Sequence, residues 1–439
     1  MTLPMTEFKK RRQSIFDKMI DNSIAFIVSA QHHYRNFDND GVFRQASDFQ
    51  YVTGFPEPSA VAVLIKQNGA SRYVLFNQKR NPLTETWTGP IVGQEQACSH
   101  YGADESYDSE DLKNQLPKLI ENKDTIYLEL SCHPEFEKQL LETLQNIQAR
   151  VRYRIEAPRK IVNIHSILHT LRLVKSPAEL DVMAKVGKIS ADAHVRCMQK
   201  SKPGMYEYQF EAEFIHATMY EGCRHLAYPG IFASGPNACT LHHTSNDRQT
   251  KDGELILIDA GAELECYASD ITRTFPVNGK FSDRQRALYE LVLDTQIKAI
   301  DMVKPNANRE AIEETVAKNF SQGLIDLGLL KESFSTVLEK GLYRQFYMHR
   351  IGHWLGIDTH DRGDYLVDGK STPYQPGFVL TIEPGLYIPP HIQGIDEKWL
   401  GMGIRIEDNV AVTETGHNVL TSAAPKKIDE IEAVMAANK

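Results

Sequence analysis

Three apolar runs in the second half of the chain lead directly into a carboxylate. Residues 255–258 (LILI) end at Asp259, Phe378-Val379-Leu380 leads to Glu383, and the alternating segment GIRIEDNVAV (403–412) carries Glu407. An aliphatic run of this kind reads as a buried strand, and a carboxylate at its end must leave the core or find a partner there. A fold for this chain must therefore turn these ends to water or gather them around positive charge.

The local patterns favour gathering. After Asp259, Gly261 permits a bend and the chain returns through Tyr267 to Asp270, which sets the two aspartates across returning strands. Taken singly, either is an ordinary turn or cap aspartate. In GFVLTIEPGLYI (377–388) Thr381 and Glu383 share one strand face, and Pro384-Gly385 ends the strand. In 403–412, alternation sends Ile404 and Ile406 to the core and Arg405 and Glu407 to the other face, a pattern that fits a solvated strand face equally well.

The segment MHRIGHWLGIDTHD (348–361) adds His349, His353 and His360. The spacing of His349 and His353 would put both on one helix face. Gly352 and Gly356 argue against a regular helix, and no glutamate follows His349, so the HExxH pattern is absent. One such histidine is most often a hydrogen-bonded structural residue; three beside two glutamate strands point to a site.

Asp259, Asp270, Glu383 and Glu407 can converge only if cations sit among them. Oxygen donors with one imidazole suit manganese, iron(II), cobalt or zinc. Five donors exceed one catalytic zinc and fit two ions, which lower the pKa of a bound water toward roughly 7. The reaction class expected is hydrolysis of a carbonyl compound.

Composition narrows the alternatives. The chain of 439 residues has a formal charge of −9, with 41% hydrophobic and 24% charged residues. These values exclude a disordered or fibrous chain, and the acidity argues against nucleic-acid partners. No apolar run approaches the length of about 18 residues that a membrane span needs. Six scattered cysteines without a CxxC read as reduced thiols, and the basic KKRR stretch (9–12) follows an acidic residue with no apolar region behind it, so a cytoplasmic location is expected. Neither GxGxxG nor GxxxxGK[ST] occurs, which leaves no nucleotide loop.

Strand-like runs at 23–30, 60–65, 72–77 and 125–130 alternate with helical patterns at 111–122 and 133–150, predicting an α/β domain over 1–160. From about 160 the pattern turns helical. Ser176-Pro177-Ala178-Glu179 forms a capping box with proline at the first helical position, and a second, α+β domain is expected over 175–439 with helices near 205–220, 283–303 and 308–328.

With these residues on the page, the chain resembles the pita-bread metallopeptidases, the family of methionine aminopeptidase, prolidase and aminopeptidase P. Asp259, Asp270, His353, Glu383 and Glu407 match its five metal ligands in order and context, HRIGHWLGIDTHD is similar to its proline-peptidase signature, and SDITRTFPVNGKF to its second-aspartate segment. FRQASDFQYVTGFPEP (43–58) is similar to the N-terminal domain of bacterial aminopeptidase P. The resemblance implies a creatinase/prolidase-type N-terminal α/β domain followed by an α+β pita-bread catalytic domain. It implies hydrolysis of the N-terminal Xaa-Pro bond by two divalent ions, manganese first with cobalt, iron(II) or zinc as alternatives. Prolidase, which takes only dipeptides, is the nearest alternative, and a non-peptidase pita-bread relative the more distant one.

The resemblance also implies roles. Asp259 binds one ion, His353 and Glu383 the other, and Asp270 and Glu407 bridge them, with Glu383 relaying a proton to the leaving nitrogen. His242 sits near the scissile peptide, with His243 as its competitor, and His360 stabilises the tetrahedral intermediate. His349, Tyr365 and Arg405 line the proline site, Arg405 alternatively holding Glu407. Tyr228 lies near the metals, and Trp87 reaches a neighbouring subunit in a dimer or tetramer. One departure is visible: Thr359 stands where the family signature has valine or isoleucine, which adds a hydroxyl to an apolar wall.

Overall fold

The computed structural model describes residues 3–437, and the chain divides into two compact units, one running to Leu171 and the other starting at Arg172. In the first unit the apolar runs become the strands β1 (Ser23–Val28), β2 (Val61–Gln67), β3 (Ala70–Asn77), β4 (Glu105–Asp108), β5 (Thr125–Leu128) and β6 (Lys160–Asn163). They form one sheet in the order β4-β3-β2-β1-β5-β6. The hairpin pair β2/β3 and the β1/β2 pair are antiparallel; β1/β5, β5/β6 and β3/β4 are parallel. β1 is buried at every position, as a strand covered on both faces must be. Helices Leu112–Ile120 and Pro134–Gln148 cover it with Leu116, Ile120, Leu140 and Ile147.

One local expectation fails here. The residues read as the start of a helical stretch at 160 form the parallel edge strand β6, because tertiary pairing with β5 overrides a short ambiguous pattern. The basic cluster near the start lies in helix Met5–Lys18, where Arg11 and Arg12 are buried. Their guanidinium groups sit 4.3 Å from the Tyr51 and Tyr73 ring centroids and donate to the Tyr51 and Val52 carbonyls. These arginines pack against aromatic rings while each donates to a backbone carbonyl.

In the second unit, β7 (Ile231–Ser234), β8 (Leu255–Asp259) and β9 (Thr272–Pro276) make an antiparallel sheet with β8 central. β10 (Val379–Ile382) pairs with β13 (Asp408–Val412), which also pairs with β14 (His417–Val419); β11 (Gly385–Ile388) pairs with β12 (Met402–Arg405). Helices Pro177–Lys200, Glu207–Tyr220, Asp283–Asp301 and Arg309–Asp326 supply the other layer, with Phe210, Phe214, Leu288, Val292 and Phe320 fully buried. Each such side chain contributes about 1.5–3 kcal/mol of hydrophobic stabilisation relative to exposure. Among the described residues no helix is long and apolar enough to cross a membrane.

The capping box forms as read: Glu179 N donates to Ser176 Oγ (3.3 Å) and Ser176 N to Glu179 Oε2 (2.9 Å). The Tyr267 hydroxyl then donates to Glu179 Oε1 at 2.7 Å, tying the helix start to the bend that follows β8. Beside it, the histidine segment is anchored by a buried ionic cluster. Arg172 reaches Asp358 (2.6 Å) and Asp361 (2.5 Å), and Lys175 Nζ reaches Asp361 at 2.9 Å. Burial pushes the Asp361 carboxyl up, but the charges of Lys175 and Arg172 outweigh it and hold the group below the usual carboxylate range. Its stabilisation is therefore complete above the unfolded aspartate pKa of about 3.9 and is lost as the pH falls through the folded value. Asp361→Asn, which leaves buried Lys175 uncompensated and Arg172 with Asp358 alone, is expected to cost about 3–5 kcal/mol in urea unfolding at pH 7. The gap to the native chain should narrow below about pH 4; a gap that stays constant with pH would contradict the ionic role.

Candidate metal centre

The ends of β8, β10 and β12 meet. Asp259, the last residue of β8, pairs with Thr272 at the start of β9. Between them the chain makes a tight excursion that Gly261 permits: a Cβ there would collide with the Ser269 carbonyl. Asp270 is fixed through its backbone, its N donating to Asn409 Oδ1 at 3.0 Å while Asn409 Nδ2 donates back to the Asp270 carbonyl. The Tyr228 hydroxyl lies between the two carboxylates, 2.6 Å from Asp259 Oδ1 and 2.5 Å from Asp270 Oδ1. Glu407, just beyond β12, accepts from Thr272 Oγ1 at 2.7 Å.

Arg405 is buried, but it does not hold Glu407. Its guanidinium donates to Asp259 Oδ2 (2.6 Å), the Tyr387 hydroxyl (2.8 Å) and Thr272 Oγ1 (3.2 Å), so Thr272 is the residue that links it to Glu407. The face carrying Arg405 and Glu407, which reads from sequence equally as a solvated strand face, is interior, with exposures of 3% and 1%.

The histidine segment forms bends without a helix, as its glycines imply. A Cβ on Gly352 would strike the Thr381 carbonyl, so this glycine lets the segment lie against β10. His353 N donates to Thr381 Oγ1 (3.0 Å). His353 Nδ1 faces the Trp354 carbonyl at 2.9 Å, which keeps its proton there and turns Nε2 toward Asp270 (3.4 Å) and Glu383 (3.7 Å). Asp270, His353 and Glu407 offer three donor atoms within 4.8 Å of one another. His360 stacks edge-on to His353 with ring centroids 4.4 Å apart. His349 Nε2 meets the Tyr387 hydroxyl at 2.9 Å, and its Nδ1 the Arg350 carbonyl at 2.8 Å.

The remaining candidates fall in different places. His242 is exposed and within electrostatic range of His349 and His360. His243 is held by Glu207 at 2.9 Å, a structural contact. Tyr365 stacks on Trp354 (5.1 Å, 8°), and its hydroxyl accepts from the Trp354 N–H, so it supports the backbone beside His353. Trp87 is 89% exposed on helix Pro82–Thr88 of the first unit. The Thr359 hydroxyl donates to the Ala227 carbonyl at 3.2 Å, so the extra polar group is satisfied and ties the histidine segment to the residue before Tyr228.

Electrostatics test whether this donor set fits metal ions. Burial raises Asp270, raises Glu383 to about 7 and lifts Glu407 well above its usual range, and mutual repulsion adds to each. Burial would lower His353, yet its hydrogen bond to Asp270 and the charges of Glu383 and Asp270 raise it to about 9. The Tyr228 hydroxyl and His353 Nε2 both face these carboxylates. Buried carboxylates that repel one another in this way, with an imidazole among them, suit divalent ions. The sequence placed Thr381 on the face of Glu383 but did not mark Tyr387, Thr272 and Asn409; of these, Thr272 carried a signal, lying on the same face as Asp270 in SDITRTF.

The model of metallopeptidase family M24 matches residues 181–414, and that of the aminopeptidase P N-terminal domain matches residues 8–127. The chain is 41% identical to the Xaa-Pro aminopeptidase of Haemophilus influenzae over 433 residues, covering 99% of this chain and 98% of that protein. It is 40% identical to the Xaa-Pro aminopeptidase of Escherichia coli, covering 98% of each. Among solved structures, aminopeptidase PepP of Pseudomonas aeruginosa superposes with a TM-score of 0.97 at 44% identity, covering 100% of this chain and 99% of that one. Zinc-substituted aminopeptidase P of E. coli in complex with product gives a TM-score of 0.98 at 39% identity, covering 100% of both chains.

If divalent ions relieve the buried carboxylates, they must stabilise the fold. Manganese at 100 times its Kd is expected to add about 2.7 kcal/mol per site to unfolding, read as a rise in Tm. Glu407→Gln should remove most of that increment; an equal rise in both proteins would contradict the assignment.

Proposed function

The chain belongs to metallopeptidase family M24, and on that premise we propose that it removes the N-terminal residue of peptides whose second residue is proline, with two divalent ions held by Asp259, Asp270, His353, Glu383 and Glu407. The observation that carries the reading is the clustering of Asp270, His353 and Glu407 donor atoms in a chain similar over its full length to Xaa-Pro aminopeptidases. Manganese is the proposed ion, and the proposed setting is a cytoplasmic homo-oligomer in which Trp87 approaches a neighbouring subunit's site.

When bound, the ions compensate the four carboxylates and supply a water acidic enough to attack a carbonyl at neutral pH. The chain's own residues do the rest. Glu383, poised by the Thr381 hydroxyl at 3.3 Å, accepts the proton of the attacking water and delivers it to the proline nitrogen as that nitrogen leaves. His360 donates to the oxygen on which negative charge develops, and His242 approaches the peptide from the opposite segment. Arg405 holds Asp259 in register through a charge-assisted hydrogen bond, while its contact to Tyr387 orients His349 at the wall of the proline site. Tyr228 keeps Asp259 and Asp270 at a fixed separation, and Tyr365 braces the backbone that carries His353.

His360→Ala is expected to lower kcat by about 10²–10³-fold with little change in KM, as loss of a transition-state donor does; a change confined to KM would remove it from that role. Ala-Pro-Ala and Ala-Pro assayed side by side with manganese test the substrate class. Hydrolysis of the tripeptide is expected, and cleavage of the dipeptide alone would make the chain a prolidase.

A further inference from the structure

A second group of metal-type donors lies in the first unit, apart from the carboxylate centre. His165 and His169 are one helical turn apart at the start of helix His165–Leu173. Their rings stack with centroids 4.2 Å apart and 18° between planes, so both imidazoles present the same edge. Both Nε2 atoms approach a single oxygen, Asp48 Oδ2, at 3.7 Å each, and His165 Nε2 lies at the same distance from Glu129 Oε1. Asp48, in helix Ser47–Thr53, is 6% exposed, and Glu129, just after β5, is also 6% exposed.

The distances discriminate between a hydrogen-bonded cluster and a coordination sphere. At 3.7 Å these nitrogens and oxygens are too far apart to be hydrogen-bonded, since such pairs close to about 2.7–3.2 Å. Donor atoms placed tetrahedrally about 2.1 Å from a shared zinc would be separated by about 3.4 Å, near the observed spacing. The donor atoms of Asp48, His165 and His169 all lie within 4.8 Å of one another. An independent sign comes from Glu129: its Oε2 is buried without a hydrogen-bond partner, although His133 Nε2 approaches it to 3.4 Å. A water bound to a nearby cation would give this carboxylate the hydrogen bond it lacks.

We propose that Asp48, His165 and His169 bind a zinc ion in the N-terminal unit, with Glu129 accepting a hydrogen bond from the ion's bound water. Two imidazoles with a carboxylate match the borderline ligand preference of zinc and disfavour calcium or magnesium. The ion pins the first turn of helix His165–Leu173 to helix Ser47–Thr53, joining segments far apart in sequence. This site is separate from the peptidase chemistry: it predicts an extra equivalent of metal that catalysis does not require.

The test uses the full chain with the catalytic ions eliminated by Asp270→Ala and Glu407→Gln. Zinc titrated into that protein and measured by elemental analysis after desalting is expected to bind one equivalent. Adding His165→Gln and His169→Gln is expected to abolish it. In the otherwise native chain, the same two histidine substitutions should leave manganese-dependent hydrolysis of Ala-Pro-Ala within about twofold. Asp48→Asn, which keeps the side-chain shape, serves as a second variant and should weaken zinc binding by at least about tenfold. Equal zinc content with and without the histidines, or no zinc in the catalytic-site variant, would overturn the proposal whatever the outcome at the peptidase centre.

Discussion

Four carboxylates in one interior space repel one another, and the second unit is organised around relieving that repulsion. Asp259, Asp270 and Glu407 are nearly inaccessible, and Glu383 lies against them. In water such a group would separate; here the strands that carry it are held by backbone pairing and by an apolar core on their other faces. The Tyr228 hydroxyl, His353 Nε2 and the fixed charge of Arg405 face these side chains. The same repulsion makes the group suited to divalent ions, whose charge offsets several carboxylates at short range.

Neighbouring acidic residues are sorted into different tasks by strand geometry. Glu407 faces the cluster, whereas the adjacent Asp408 faces away and is neutralised by Arg273 (2.7 Å) and Lys426 (2.7 Å), with Gln296 donating at 2.8 Å. Burial raises Asp408, but Arg273 and Lys426 bring it well below its usual range, whereas burial and the neighbouring carboxylates lift Glu407 well above its own. Arg273, fully buried, also donates to the Glu407 carbonyl at 2.6 Å and so positions the backbone that aims Glu407 inward. Two adjacent carboxylates thus serve opposite purposes: one anchors the scaffold and the other is available for chemistry.

The hydroxyls between the charged groups determine where each carboxylate points. Thr272 joins Arg405 to Glu407, Thr381 joins His353 to Glu383, and Tyr387 joins Arg405 to His349. Each is a hydroxyl on a fully buried strand residue that bridges two polar partners without opening the core to water. The first unit applies the same donor chemistry differently: His165 and His169 gain proximity from one helical turn, while Asp48 and Glu129 come from distant elements.

Much of the chemistry was legible in the chain because it depends on period and on apolar context. The runs before Asp259 and Glu383, the alternation through Arg405 and Glu407 and the glycines around His353 specify strand ends, a common face and a non-helical segment, all local properties. The capping box at Ser176 was readable for the same reason. What the linear pattern could not supply was any relation across long sequence separation. Whether the Arg405 face met water or the interior, that Arg405 grips Asp259 and not Glu407, that β6 is a strand and that Thr359 spends its hydroxyl on Ala227 were all settled by tertiary packing. The sequence by itself determined which residues could bind and react, because side-chain chemistry and strand or helix period are carried locally. Only the tertiary structure decided which of them touch, because a contact between residues over a hundred positions apart forms only when the whole core closes around it.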